Sequence, residues 1–131
     1  MSAEHFSIRN KTSRVARDIP FKRMKDGVLG PSYELSVALI SAREARALTR
    51  RMKKKNKASN VLAFPLGKDS GEIVLCPATA RREAARYGMP PRDFLAYLFI
   101  HGMLHLKGRR HGATMEHEER RILKRYGFHS Q

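Results

Sequence analysis

Three histidines stand at i, i+4 and i+10 in the stretch His101-Gly-Met-Leu-His105-Leu-Lys-Gly108-Arg-Arg-His111. On a helix the first two are one turn apart and share a face. Gly108 accepts the left-handed conformation that a helix C-terminus needs. The chain can turn there, and His111 can meet the other two from outside the helix. A lone histidine on a helix is usually packing or surface. Three, with a glycine turn between the second and third, fit a metal. Neutral imidazoles supply three corners of a tetrahedron around zinc, and the open fourth corner marks a catalytic rather than a structural site. Zinc so held lowers the pKa of its water to about 7. The expectation is one zinc per chain on His101, His105 and His111.

The same spacing occurs in the metzincin proteases, which place a glutamate, the general base, directly after the first histidine. This chain has Gly102 there, which argues against peptide hydrolysis. Glycine inside a helix costs about 1 kcal/mol relative to alanine. The offset expected is a close approach, of another backbone or of substrate to the metal.

The histidines need a rigid support. Phe94-Leu-Ala-Tyr-Leu-Phe-Ile100 is apolar on every side, the pattern of a buried helix. Pro90-Pro91 opens it, and Asp93 in its first turn suits the positive end of the dipole. Residues 4–9 alternate and read as a first strand, and a short helix follows over about 20–27. Residues 33–40 form a strand with Leu35, Val37 and Leu39 on one face. Ser41 and Glu44 make a capping box for a helix running to about Met52. Residues 60–65, ended by Pro65, and 72–76 pair as an antiparallel hairpin. A helix spans Pro77 to Tyr87, with Gly88 at its end. A last helix runs from a Thr114 cap to Tyr126; Glu116, Glu118 and Glu119 crowd its start and Arg120, Arg121, Lys124 and Arg125 its end, as the dipole favours. His5, His117 and His129 fit no ligand spacing.

Charge points to the partner. The 131 residues carry 27 Lys and Arg against 12 Asp and Glu, a formal net charge of +15. That excess calls for a polyanion, nucleic acid before an anionic membrane surface. Six of the eight residues from Arg50 to Lys57 are cationic: Arg50, Arg51, Lys53, Lys54, Lys55 and Lys57. Each cation that meets a phosphate releases a counterion, so this segment is the candidate phosphate-binding loop. One cysteine, Cys76, excludes an internal disulfide and a Cys-rich zinc site. Hydrophobic residues make up 41%, enough for one core in a single domain over 1–131. No apolar leader region follows Met1, and no apolar run approaches the roughly 20 residues of a membrane span. A reducing, cytoplasmic setting is expected.

The histidine pattern, with Ser59-Asn-Val-Leu-Ala-Phe-Pro65 and Gly71-Glu-Ile-Val74 upstream in the same order, resembles the YbeY family of bacterial ribosomal-RNA maturation factors. Agreement runs from about residue 33 to residue 127; the first 30 residues match poorly and look shortened. The resemblance implies an α+β domain. Its small, mostly antiparallel or mixed sheet of about four strands would pack with about five helices, the central buried helix carrying the metal ligands. It implies a zinc-dependent, single-strand-specific endoribonuclease in the cytoplasm, acting on the 3′ end of 16S rRNA and in ribosome assembly or quality control. Its partners would be single-stranded RNA, rRNA and the ribosome or its small subunit, with no membrane. Two positions depart from the family. An aspartate usually precedes the third histidine, where this chain has Arg110. An arginine expected ahead of the Asn-Val-Leu motif aligns with Lys53, which keeps the charge but not the bidentate fork; its catalytic role falls to Lys53 or Arg51. No general base is identified, and Glu72 and Asp93 are the carboxylates at hand. The alternative is a non-catalytic, zinc-stabilised rRNA-binding assembly factor, favoured by the charge and by Arg110.

Overall fold

The computed structural model describes residues 5–10, 14–51 and 61–129. In chain order these form β1 (Phe6–Asn10), α1 (Phe21–Val28), β2 (Glu34–Leu39), α2 (Ala42–Arg51), β3 (Val61–Gly67), β4 (Ser70–Leu75), α3 (Pro77–Ala84), a 3-10 turn (Ala85–Tyr87), α4 (Pro91–Leu106) and α5 (Ala113–Arg125). The class is α+β, as expected.

The four strands lie in the order β1-β2-β4-β3. β1 and β4 each run parallel to β2, while β3 is antiparallel to β4. The sheet is therefore mixed rather than mostly antiparallel, because both neighbours of β2 are reached by crossovers and only β3–β4 is a hairpin. Strand alternation divides the side chains between two faces. Leu35, Val37, Leu39, Ile73 and Leu75 enter the main core with α4. Ala38, Ile40, Val74 and Cys76 face the other way, onto Ala45 of α2.

Pro65 lies inside β3 rather than ending it, opposite Gly71, with a register irregularity before Gly67. Proline has no N–H for a ladder, but β3 is an edge strand, so its outer side needs none. The expected Ser41–Glu44 capping box forms in full. The Ser41 hydroxyl accepts from the Glu44 N–H at 3.1 Å, and the Glu44 carboxylate accepts from the Ser41 N–H at 3.1 Å. The helix from Pro77 tightens into the 3-10 turn before Gly88, which is left-handed. Thr114 does not cap α5. The N-cap is Gly112 with no side-chain cap bond, and Thr114 sits within the first turn.

α4 is the axis of the molecule. Phe94, Leu95, Ala96, Leu98, Phe99, Ile100, Met103 and Leu104 are all buried, on every side of the helix. Asp93 is 2% exposed and has a task beyond the dipole: its carboxylate accepts from the His129 N–H at 2.8 Å, tying the chain beyond α5 to the start of α4.

Candidate metal centre

The buried helix breaks the surface at its C-terminal end, where His101 is partly covered and His105 is exposed. The exit from α4 is a Schellman turn. The Arg109 N–H bonds the Leu104 carbonyl at 3.0 Å and the Gly108 N–H bonds that of His105 at 2.9 Å. Gly108 has φ of 87°, the left-handed conformation that this turn requires and that a Cβ would penalise. The Arg109 guanidinium then grips Glu118 of α5, Nε to Oε1 at 2.9 Å. The loop between α4 and α5 is thereby pinned at both ends, with His111 in it.

The loop brings the third histidine to the other two. One ring nitrogen from each of His101, His105 and His111 lies within 4.8 Å of the others. The ring centroids are 5.5, 4.9 and 5.0 Å apart. The Nε2 atoms of His105 and His111 are 3.3 Å apart. Zinc–nitrogen bonds of about 2.0–2.1 Å at tetrahedral angles place ligand nitrogens roughly 3.3 Å apart, so this pair already has the edge length of a zinc tetrahedron. The negative end of the α4 dipole also favours a cation here.

His101 is oriented from behind. Its Nδ1 lies 2.6 Å from Oε2 of Glu119 on α5, and Glu119 is 2% exposed. An ionised carboxylate can only accept, so Nδ1 carries the proton and Nε2 keeps its lone pair for a metal. Tyr97, one turn before His101 on α4, is pushed up to about 12 by burial and then by the charge and hydrogen bond of Glu119. It therefore stays a phenol and a donor. His105 is held below the usual imidazole range by desolvation and then by the charges of His101 and His111. Neutral imidazole is the form that binds metal. The donor set thus fits zinc.

Glu119 is the functional residue that sequence reasoning missed, having been counted only as an acid near the start of α5. The signal available was its place one turn after Met115 and before Ile122 and Leu123, on the buried stripe of that helix. Asp93 and Glu72, the carboxylates considered beforehand, are elsewhere: Asp93 at the far end of α4, Glu72 on β4. The close approach at Gly102 is made by side chains of the sheet rather than by another backbone. A Cβ there would meet Ile73 Cδ1 at 3.2 Å and Val61 Cγ2 at 3.3 Å. The position faces side chains of the sheet.

Among the candidate phosphate ligands, Arg50 and Arg51 close α2. They line an open groove of about 920 Å³ with Arg9, Phe64, Leu66 and Glu72, on the sheet face opposite α4. Lys53, Lys54, Lys55 and Lys57 lie outside the described residues. Arg110 is exposed beside His111. No described helix is long and apolar enough to cross a membrane.

The family model described as Endoribonuclease YbeY matches residues 2–127. A Halorhodospira halophila protein named Endoribonuclease YbeY is 37% identical over 113 residues, 75% of this chain and 73% of its own length. A protein of the same name from Aromatoleum aromaticum is 41% identical over 93 residues, 69% of this chain and 60% of its own length. The solution structure of a Thermotoga maritima protein superposes with a TM-score of 0.64 at 23% identity, covering 91% of this chain and 85% of that one. This likeness concerns the fold alone.

Proposed function

The chain belongs to the YbeY family, and from that premise we propose that it is a zinc-dependent endoribonuclease that cuts single-stranded RNA during rRNA maturation in the cytoplasm. The 3′ end of 16S rRNA, in the context of the ribosome or its small subunit, is the proposed site of action. The observation that carries this reading is the set of three imidazoles within 4.8 Å, the first oriented by a buried carboxylate.

Zinc held there would supply Lewis acidity and a water of lowered pKa. The chain's own residues do the rest. His101, His105 and His111 would hold the ion, with solvent access from the side of His105 and His111, which are exposed. Glu119 keeps His101 in the tautomer that binds, and Tyr97 holds Glu119. Arg50, Arg51, Lys53, Lys54, Lys55 and Lys57 supply positive charge for the RNA backbone, Lys53 or Arg51 being nearest the reacting phosphate. Sequence proximity supports this: Val61, four residues after Lys57, packs against the position of Gly102, next to His101.

The test is zinc content of the purified protein, with cleavage of a single-stranded RNA before and after chelation. One zinc per chain and chelator-sensitive cleavage are expected. His105→Ala should abolish cleavage and leave RNA affinity nearly intact. The exposed Arg110 beside His111 favours a second reading, an rRNA-binding assembly factor in which zinc is architectural. RNA binding with zinc but without cleavage would establish that reading instead.

A further inference from the structure

The outer face of α5 carries a row of basic side chains that the histidine cluster does not use. His117, Arg120, Arg121 and Lys124 fall at i, i+3, i+4 and i+7, one face of a helix. All four are exposed, and with Phe128 and His129 they line an open depression of about 460 Å³. The inward residues of the same helix are Met115, Glu119, Ile122 and Leu123. At about 100° per residue, the row lies roughly 100–200° around the helix from Glu119. Glu119 points at His101, so the row points away from the metal centre.

Two ordinary reasons for such charges fail here. The helix dipole favours cations only in the last turn. That accounts for Lys124 and Arg125; Arg120 and Arg121, grouped with them from the sequence, fall instead in the middle of the helix, outside the reach of the dipole. Local pairing fails too. Among the described residues Arg120, Arg121 and Lys124 make no hydrogen-bonded ion pair: Glu118 is engaged by Arg109, Glu119 by His101, and Glu116, one turn before Arg120, forms no ion pair with it; the charge of Arg121 acts on Glu118 only at a distance. Arg120 and Lys124 are like charges one turn apart and repel each other. A polyanion lying along the row would remove that repulsion.

We propose that this face of α5 binds the phosphodiester backbone of RNA outside the segment held at the metal centre, as a second contact for long RNA. The proposal rests on RNA being the substrate, as argued above. Two guanidinium forks and an ammonium suit phosphate oxygens. The one large apolar side chain of the depression, Phe128, is buried, so the row offers a lipid surface nothing to insert.

The test neutralises Arg120→Gln, Arg121→Gln and Lys124→Gln together. Binding is measured from about 50 to 200 mM salt, for an oligonucleotide of about six nucleotides and for an RNA of about forty. The long RNA should lose roughly tenfold or more in affinity, and its log K against log salt slope should fall by about 2 to 3. Zinc content and binding of the short RNA should not change. The same slope for the long RNA, or an equal loss for both RNAs, overturns the proposal. So does a loss of binding to anionic vesicles with RNA binding intact. If the triple variant fails to hold zinc, the three single variants serve, each expected to lower the slope by about 0.7–0.9. Wild-type protein that binds RNA without cutting it would remove the nuclease reading and leave this surface standing.

Discussion

A ligand histidine is only as well placed as the partner on its other ring nitrogen. For His101 that partner is Glu119, itself held by Tyr97. Glu119→Gln keeps the size but loses the charge that fixes the proton on Nδ1. It should weaken zinc about 10- to 100-fold, read by competition against a chelator dye. Unchanged affinity would mean that packing alone orients the ring. Gly102 acts through the sheet, with Ile73 and Val61 standing where a side chain would go. Gly102→Leu should therefore destabilise by about 1–3 kcal/mol, as overpacking does, seen as a lower urea midpoint.

At the scale of elements, the metal centre is a junction of two helices and the loop between them. α4 gives two of the three histidines, the loop the third, and α5 the carboxylate. Gly108→Ala forces a Cβ into the left-handed turn and should cost about 1 kcal/mol. It should also weaken zinc, because His111 follows three residues later. Arg109→Ala unpins the same loop from Glu118 and should weaken zinc with less effect on thermal stability. The pair has a pH signature. The Arg109 hydrogen bond outweighs burial and holds Glu118 below the usual carboxylate range. Its contribution is thus present above the ordinary carboxylate pKa and lost as pH falls through the lowered one. Glu118→Gln should flatten the acid side of the Tm–pH curve. Elsewhere, Ser41→Ala removes half of the capping box of α2 and should cost about 1 kcal/mol.

For the whole molecule, zinc held by the three histidines would occupy a site that the unfolded chain lacks, so ligation would add to stability. Free zinc a thousandfold above Kd contributes about 4 kcal/mol, and chelation should lower Tm accordingly, with His105→Ala insensitive to it. Much of this design is legible in one dimension. The α4 run is apolar on all sides and so had to be buried. Two histidines at i, i+4 had to share a face, and Gly108 had to turn the chain. Ser41 and Glu44 announced their cap because capping is a matter of residues three apart. Local spacing thus controls the elements, the buried axis and the meeting of two histidines on one face. The rest depended on contacts between residues far apart in the chain. The mixed strand order, Pro65 tolerated on an edge, Gly102 against Ile73, and Glu119 behind His101 were settled only when the sheet and α5 closed on α4. Periodicity can say that Glu119 faces inward, but not which group awaits it there.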